Sequence, residues 1–440
     1  MKFVQDAKVI LWGTEIGAVS WLEDRKLGVF QYSPEFIESG IQPSPIEMPL
    51  RVPAYQFPGL AWESFRGLPG MLSDSLPDKF GTAIINAWLA RQDRTEESFS
   101  SVERLCIIAS RGMGALEYEP VIPFATPSED LIDIGMLVDL TNEILDEKTD
   151  LSVSFSQPDD REALATLVRV GTSAGGARAK AILDWNPKTG EFRSGQVPNP
   201  EGFEHWIIKF DGIKSKVDQS ITETQGFGKI EYVYSQLARK AGITISETRL
   251  FQEGERSHFM TKRFDRNDQG DKIHMQSVGA LKHIDYNTPR LFSYEETLML
   301  MKQLELPFED LEQFFIRAIF NVLGKNNDDH VKNVAFLMDR TGTWRLSPAY
   351  DLSFSFNPQS RWVDQHQMSI NGKYDHITEE DIIGLGTLAG IKTKKSREHI
   401  DQVVQSLKLW PELAKEEAVS KLQIDAIQAV LTDEIENFQQ

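Results

Sequence analysis

A mostly polar segment of eight residues, NNDDHVKN at 326–333, carries the side chains best suited to chemistry. It is too polar for a core, yet it lies between a strongly apolar helical segment and an apolar strand, as segments that line a site commonly do. Asp328 and Asn333 within it are five residues apart. In phosphoryl transfer, a carboxylate orients the attacking hydroxyl and an amide at this spacing binds Mg²⁺. Because the spacing is also frequent by chance, an acidic solvated loop is the alternative.

Two more segments carry groups for the same chemistry. Asp351 in SPAYD is a second carboxylate, and with Asn333 it supplies the minimum of hard oxygen ligands for Mg²⁺. Lys209 lies in the apolar strand EHWIIKF, an unfavourable place for an ammonium group unless an anion meets it. Glu231, one turn into the next helix, would be that anion, in the manner of the Lys–Glu pair of kinases. A lysine that reaches out to solvent is the alternative.

The segment TSAGGARAK, residues 172–180, consists mostly of small residues, which predicts a flexible loop. Its backbone N–H groups can approach phosphate oxygens closely, although the Walker A pattern G-x-x-x-x-G-K-[ST] is matched nowhere. A glycine-rich turn without a ligand is the alternative. The eight histidines are dispersed without metal-ligand spacing, and G-x-S-x-G is absent, so metalloenzyme and serine-hydrolase chemistry are disfavoured.

The elements that must position these groups follow a recognisable order. Residues 161–260 predict a glycine-rich loop, two strands, a helix over GKIEYVYSQLARKAG and two more strands, which is the order of a kinase small lobe. Beyond 290 the pattern is helical, with a regular apolar stripe from Phe308 to Leu323. A β-hairpin over VAFLMDRTGTWRL, with its turn at Asp339–Gly342, interrupts it, and amphipathic helices are predicted from about 378 to 440.

The first 125 residues differ in character. Short apolar runs broken by glycine and proline predict a small β-rich domain, with one helix over FGTAIINAWLARQ. One amphipathic helix and acidic connectors between 126 and 160 indicate a boundary. We therefore expect three parts, namely a β-rich part over 1–125, a small-lobe part over 126–265 and a helical lobe over 266–440.

Composition limits the function classes. The 440 residues include 47 Lys and Arg against 66 Asp and Glu, a formal charge of −19 with a pI near 5.0, which argues against direct wrapping of nucleic acid. The single cysteine, Cys106, lies in the apolar run RLCIIAS and is expected to be buried, and its solitude fits a reducing compartment. No stretch approaches the ~18 apolar residues of a membrane span. We expect a cytoplasmic protein that does not enter a membrane.

The joint order of S-x-x-G…K, IIK, KRFD, DDHVKN and SPAYD resembles the HipA family of bacterial toxin kinases over essentially the whole chain. LWGTEIGAVSWLEDRKLGVFQYSPEFIESG, IEMPL and LSDSLPD look like the N-terminal subdomain of that family, and RGMGALEYEP looks like its G-A-L segment. The resemblance implies an α+β, bilobal, protein-kinase-like fold with a β-rich N-terminal subdomain and an all-helical C-terminal lobe.

The resemblance also implies residue roles by position. Asp328 would be the catalytic base, and Asn333 with Asp351 would hold Mg²⁺. Lys209 would bind phosphate, and His330 would belong to both the catalytic and the nucleotide-binding groups. Ser173 would be the autophosphorylated serine, with Thr172 as its competitor. Further nucleotide-binding positions would be Ser173, Ala174, Gly175 and Gly176 in the phosphate loop, and Lys262 and Phe264 in the hinge K-R-F-D.

The implied activity is transfer of phosphate from Mg-ATP to serine or threonine, and the implied substrate class is an aminoacyl-tRNA synthetase. The implied partner is a helix-turn-helix antitoxin similar to HipB, through which the chain would mainly reach DNA. A catalytically weak kinase-like module that acts as a co-repressor is the alternative. The presence together of Lys209, Asp328, Asn333 and Asp351 favours the active kinase.

Overall fold

The structure, a computed structural model, describes residues 3–90, 94–123, 131–145, 166–168, 170–171, 178–194, 201–213 and 226–438. The chain begins with an antiparallel sheet in the order β3–β2–β1–β4. In β1 the residues Ala7, Val9 and Leu11 are buried and alternate with more exposed neighbours, the period of a strand with one covered face. Gly13, with φ +80°, lies in the two-residue turn between β1 and β2. The strands are β1 (Asp6–Leu11), β2 (Thr14–Leu22), β3 (Leu27–Tyr32) and β4 (Leu116–Glu119).

Helices pack on this sheet and lead out of it. The helix predicted over FGTAIINAWLARQ is confirmed and is capped by Asp78, whose Oδ1 accepts from the Gly81 N–H at 2.7 Å. Cys106 lies in a fully buried helix that begins with a capping box of Ser100 and Glu103, so its predicted burial is confirmed. The helices are α1 (Pro34–Ile37), α2 (Trp62–Phe65), α3 (Gly70–Ser73), α4 (Lys79–Ala90), a 3₁₀ turn (Glu96–Ser98), α5 (Ser101–Ile108) and α6 (Ile134–Leu145).

A second antiparallel sheet has the order β6–β5–β7–β9–β8 and carries one long helix. The helix approaches β9 closely at Gly228, where a Cβ atom would lie 2.4 Å from the Ser257 carbonyl oxygen. The predicted strands and helix of this region are present. They are β5 (Lys180–Trp185), β6 (Phe192–Ser194), β7 (Glu204–Lys209), α7 (Phe227–Lys240), β8 (Thr248–Glu253) and β9 (Arg256–Lys262).

The C-terminal part is not all-helical, so that expectation is wrong. The predicted hairpin is present, with the Gly342 N–H donating to the Asp339 carbonyl at 3.0 Å. A strand from earlier in the chain pairs with it, because the free edge of a buried hairpin leaves backbone groups that need partners. The strands are β10 (His274–Ser277), β12 (Ala335–Met338) and β13 (Trp344–Leu346) in one sheet, and β11 (Phe292–Ser293) with β14 (Met368–Ser369) in a short parallel pair.

Seven helices of the described residues form the rest of this part. The apolar stripe predicted from Phe308 to Leu323 forms one helix whose middle, with Phe314, Phe315 and Phe320, is buried, although Phe308 in its first turn is exposed. None of the described helices is both long and apolar enough for a membrane crossing. The helices are α8 (Val278–Lys282), α9 (Tyr294–Gln303), α10 (Phe308–Leu323), α11 (Glu379–Leu388), α12 (Thr393–Leu407), α13 (Trp410–Glu416) and α14 (Lys421–Phe438).

Candidate active site

Lys209, the last residue of β7, lies at the centre of the candidate site. Its Nζ donates to Glu231 Oε1 and to Asp351 Oδ1, each at 2.5 Å. Burial lowers the pKa of a lysine, but the two carboxylates outweigh it and raise the pKa of Lys209 above its ordinary value. The predicted Lys209–Glu231 pair is therefore present, and Asp351 joins it from 142 residues further along the chain.

Asp351 occupies a constrained position. Its backbone is left-handed, with φ +54°, a conformation unusual for a residue with a Cβ atom. Burial alone would raise the pKa of its carboxyl, but the ammonium groups of Lys209 and Lys180 hold that pKa well below the usual range. The side chain is 27% exposed, so an ionised carboxylate faces the cleft of the candidate site, the space between β7 and the loop of residues 326–333.

Lys180 is a second cation of the site that the sequence arguments did not single out. It pairs in register with Lys209 across β5 and β7, so both side chains lie on one face of the sheet. Lys180 is 3% exposed, and burial lowers its pKa while Asp351 opposes that change. Two adjacent buried ammonium groups favour the binding of an anionic ligand. The sequence could have indicated Lys180 only through the pairing register of the two predicted strands.

The catalytic-loop candidates lie together after α10. The Asn333 Nδ2 donates to the Asp328 carbonyl oxygen at 2.8 Å, and the Asn333 N–H donates to the His330 carbonyl oxygen at 2.8 Å. The Asp328 side chain is half exposed, and His330 Nε2 lies 3.8 Å from its Oδ1 atom. Burial of the loop raises the pKa of Asp328; His330 opposes this rise, while Asp351 and Asp329 add to it.

The buried side chain of Asp329 anchors the loop of residues 326–333. Its Oδ2 accepts from the Tyr294 hydroxyl at 2.6 Å and lies 3.0 Å from His366 Nδ1, and its Oδ1 accepts from the Gln367 N–H at 2.7 Å. The side chain is fully buried. Asp329 therefore fixes the loop to the C-terminal part and leaves its neighbour Asp328 facing the cleft.

The predicted hinge lies at the end of β9. Lys262 directs its side chain to Glu204 Oε1 at 2.9 Å, and its N–H donates to the Glu247 carbonyl, so its own carbonyl is the backbone group left to meet a base. The Phe264 ring lies 5.5 Å from that of Tyr350, the residue before Asp351. The hinge and the SPAYD segment therefore meet across the cleft.

Asp265 ties this hinge to the N-terminal sheet. It receives two hydrogen bonds from Arg263, at 2.9 and 2.7 Å, one from Arg266 at 2.9 Å and one from the Gly114 N–H at 2.7 Å. Burial would raise the pKa of Asp265, but the two arginines hold it well below its usual range. Gly114 belongs to the segment RGMGALEYEP, which is therefore docked on the hinge.

The alternation of side chains along β7 identifies the residues that line the cleft next to Lys209. Ile207 lies two residues before Lys209 on the same face of β7, and Thr261 of β9 pairs with it in register. The opposite face of β7, with Trp206 and Ile208, is fully buried. Ile207 and Thr261 thus lie between the hinge and the lysine, where the base of a nucleotide would lie.

The N-terminal part contacts the loop of residues 326–333 through Asp74, and the charge of Lys332 in that loop also acts on Asp78. Asp74 lies 3.7 Å from the Lys332 ammonium and accepts two hydrogen bonds from Ser277, at 2.7 and 2.9 Å. Burial opposes the charge of Lys332, but Asp74 is the first of the neighbours that raise its pKa. Burial raises the pKa of Asp78 to about 6, against the pull of Lys180 and Lys332.

The phosphate-loop candidates cannot be placed. These candidates lie outside the described residues and are Ser173, Ala174, Gly175, Gly176 and the competitor Thr172. The described flanks are Gly171, against which Ile84 and Phe80 of α4 pack, and Arg178, whose guanidinium lies 4.5 Å from the Phe227 ring centroid.

The donors Asn333 and Asp351 fit Mg²⁺. The Asn333 amide nitrogen is committed to Asp328, which leaves its Oδ1 as an acceptor, and Asp351 is an ionised, part-exposed carboxylate. Within the described ranges, no three His, Cys, Asp or Glu side chains cluster into a metal site. A divalent ion here would therefore take most of its ligands from phosphate and water, as Mg²⁺ commonly does.

Two family models match this chain, one in its N-terminal part and one in its C-terminal part. A family model of the HipA N-terminal domain matches residues 7–119, and one of the HipA-like C-terminal domain matches residues 172–410. A chain from the complex of Shewanella oneidensis MR-1 HipA, HipB and operator DNA superposes with a TM-score of 0.65 at 16% identity, covering 98% of this chain and 96% of that one.

Two other relatives match smaller parts. The Helicobacter pylori proinflammatory kinase CtkA covers 53% of this chain and 88% of its own at 15% identity and a TM-score of 0.36. A putative kinase of Haemophilus influenzae is 26% identical over 134 residues, which are 28% of this chain and 39% of that protein. The HipA-like C-terminal domain alone spans more than half of the sequence, with the matching N-terminal domain before it, and the chain therefore belongs to the HipA family.

Proposed function

We propose that the chain is a kinase that transfers the γ-phosphoryl group of Mg-ATP to a serine or threonine hydroxyl of a protein. The observation that carries the proposal is the position of Lys209, which meets Glu231 of α7 and Asp351 of the SPAYD segment at once. Kinase catalysis consists mainly of positioning and charge stabilisation, and it requires this lysine, this glutamate and this aspartate together.

The proposed step uses five side chains of the chain. Lys209, with Lys180 beside it, would bind the phosphate oxygens, and Asn333 and Asp351 would hold Mg²⁺, which would neutralise charge on the phosphates. Asp328 accepts the hydrogen of the acceptor hydroxyl as its oxygen forms a bond to the γ-phosphorus. The bond from that phosphorus to the bridging oxygen breaks, and ADP leaves with the electron pair. The raised pKa of Asp328 makes it a better proton acceptor than an ordinary aspartate.

The remaining nucleotide positions follow the sheet. The Lys262 carbonyl and the Phe264 backbone would meet the adenine edge, under a roof of Ile207 and Thr261. His330, within 3.8 Å of Asp328, would contact the phosphate side of the nucleotide or the acceptor hydroxyl. The loop of Ser173, Ala174, Gly175 and Gly176 would cover the phosphates, since small residues admit backbone N–H groups to phosphate oxygens.

Ser173 is also the proposed site of self-phosphorylation. A phosphoserine would bring about −1.5 to −2 charges into a loop that itself approaches phosphates, and repulsion would expel the loop. Ser173→Ala is expected to bind ATP but not to incorporate phosphate, and Ser173→Asp is expected to bind ATP poorly. Mass spectrometry after incubation with Mg-ATP checks this, and phosphate on Thr172 or elsewhere with Ser173 unmodified would contradict it.

Family membership extends the proposal to biology. We infer that the chain is a growth-inhibiting toxin located in the cytoplasm, with an aminoacyl-tRNA synthetase as the first substrate class to test. A helix-turn-helix antitoxin like the HipB of the Shewanella complex would neutralise it and carry it to DNA. The charge of −19 supports a basic partner of this kind.

The alternative function is a co-repressor module with little catalysis, favoured by the likeness to a chain from a complex that contains DNA. Incubation of the full chain and a cell extract with γ-labelled ATP and Mg²⁺ separates the two. The kinase is expected to label itself or an extract protein, and Asp351→Asn is expected to label neither. Absence of label with the wild-type chain would overturn the kinase proposal and favour the module.

A further inference from the structure

Lys325, three residues before Asp328, is a buried cation. Its side chain is 8% exposed, and its backbone is left-handed with φ +50°. Its ammonium nitrogen forms an ion pair with Glu434, 2.5 Å from Oε2, and lies 3.7 Å from Asp375 Oδ1. A buried ammonium left without its carboxylate costs several kcal/mol. Glu434, near the end of α14, therefore holds Lys325 in place.

The backbone of Lys325 is bonded to the other half of the site. The Ser355 N–H donates to the Lys325 carbonyl at 2.9 Å, and the Asn327 N–H donates to the Ser355 carbonyl at 3.2 Å. Ser355 lies four residues after Asp351. The position of Lys325 therefore sets both the start of the Asp328 loop and the segment that leaves Asp351.

The same C-terminal region also contacts the helix that carries Glu231. The Lys229 ammonium donates to the Ala418 carbonyl at 3.1 Å, and Gln236 Nε2 donates to Glu417 Oε1 at 3.2 Å. Residues from 417 to 434 thus meet α7 at one end and the start of the catalytic loop at the other.

We propose that Glu434 is a positioning residue for phosphoryl transfer, because its ion pair with Lys325 fixes the distance between the Asp328 loop and the Asp351 segment. The inference rests on the proposed kinase function. Glu434 contacts neither Asp328 nor Asp351 directly, so its removal is expected to affect the alignment of the reacting groups rather than ATP binding. A side chain that only stabilises the fold would change the folded fraction and not the rate per folded molecule.

The test compares Glu434→Gln with Glu436→Gln, an exposed neighbour on the same helix that undergoes the same loss of charge. The rate of ADP release is measured for the full chain with Mg²⁺ at several ATP concentrations. Thermal unfolding gives the folded fraction of each variant, and each rate is divided by that fraction. We expect Glu434→Gln to lower kcat at least fivefold with the KM for ATP within twofold of wild type. We expect Glu434→Asp, which keeps the charge, to fold and to recover at least half of the lost rate. A smaller fall in kcat, or a loss carried by KM, would overturn the inference.

Hydrogen exchange keeps this test independent of the kinase proposal. Glu434→Gln is expected to speed exchange of the Asn327 and Ser355 amides, while the amide of Lys262 in β9, bonded to the Glu247 carbonyl, keeps its rate. Unchanged exchange at Asn327 and Ser355 would overturn the inference even if the wild-type chain released no ADP. Absence of ADP release with faster exchange would instead count against the proposed function alone.

Discussion

At the residue scale, two neighbouring carboxylates have opposite surroundings. Asp329 is fully buried with three hydrogen-bond partners, whereas the Asp328 side chain is half exposed. We expect Asp328→Ala to abolish phosphoryl transfer without loss of fold, because alignment of the hydroxyl is lost while few contacts are. We expect Asp329→Ala to lower Tm, because it leaves buried donors without an acceptor. Label incorporation and thermal unfolding check both. An Asp328→Ala chain that kept more than a tenth of the wild-type rate would contradict the assignment.

The raised pKa of Asp328 also has a measurable sign. The carboxylate accepts the hydroxyl proton only when ionised, so the rate is expected to fall as pH falls through this pKa, above the ordinary value of 3.8. The profile of kcat/KM against pH, recorded for the wild-type chain, measures the midpoint. Asp328→Asn is the control, since it has no carboxyl to titrate. An acidic limb that the residual activity of Asp328→Asn still shows would assign the titration to another group.

Residue types and spacing predicted some of the contacts of the candidate site. Lys209 and Glu231 were predicted to pair, and they do. The contact of Lys209 with Asp351 was not predicted, because it depends on how two parts of the chain pack across 142 residues. Lys180 was missed since its importance comes from cross-strand register. The different roles of Asp328 and Asp329 depend on burial, which identical side chains in adjacent positions do not reveal.

At the element scale, helix α4 begins with an unusual cap. The carboxyl of Asp78 accepts from Gly81, but burial raises its pKa to about 6, so the folded chain binds a proton there that the unfolded chain releases above about 4. The contribution of the Asp78 carboxyl to stability is therefore expected to fall as pH rises from 4 through 6. Asp78→Asn keeps the cap without the charge and is expected to raise Tm by on the order of 2 °C at pH 8.

The control for Asp78→Asn is Asp24→Asn, an exposed position of the same N-terminal part. Thermal unfolding at pH 5 and pH 8 is the measurement, and the gain from Asp78→Asn is expected to shrink at pH 5, where the wild-type carboxyl is already protonated. An equal gain at both pH values would show that the buried charge is not its cause.

Element boundaries show where local pattern is sufficient. The stripe on α10 and the hairpin β12–β13 follow from local periodicity and turn residues, and both were predicted. Strand β10 was not, because HMQS has no strong alternation and forms a strand only through pairing with β12. The exposure of Phe308 likewise depends on where α10 meets the surface rather than on its position in the stripe.

At the scale of the whole molecule, two buried histidines join the N-terminal and C-terminal parts. His283 Nε2 accepts from the Gly70 N–H at 2.9 Å, and His274 Nε2 lies 2.8 Å from the Pro43 carbonyl oxygen. Burial lowers the pKa of each to about 4. Between pH 6.5 and 4 the unfolded chain therefore binds more protons than the folded chain. As pH is lowered through that window, the free energy of unfolding is expected to decrease by about 1–3 kcal/mol for each histidine.

Denaturant unfolding at several pH values checks this expectation. His283→Gln keeps an acceptor for Gly70 without a titrating ring and is expected to reduce the slope. His376→Gln, at a fully exposed histidine, is the matched control and should leave the slope unchanged. A slope that His283→Gln does not alter would show that the acid sensitivity arises elsewhere.

The net charge leads to an expectation about DNA. Because the chain carries −19 overall, the purified protein is not expected to shift DNA at about 150 mM salt, where exposed charges act over only about 8 Å. Addition of a basic helix-turn-helix partner is expected to produce a shifted complex, with association that slows as salt rises. Gel shift and binding kinetics measure both. A tight complex of the chain alone with DNA would contradict the view that the partner makes the contact.

The pair of Lys325 and Glu434 also has a consequence for synthesis. Roughly a hundred residues separate the two, so at about 5–20 residues per second a ribosome needs some 5–20 s to progress from one to the other. For most of that interval, from residue 351 onward, the nascent polypeptide contains the whole NNDDHVKN segment and Asp351 but lacks the carboxylate that holds Lys325. Under the proposed function, the alignment of the reacting groups would thus be completed only late in translation, once Glu434 has been added.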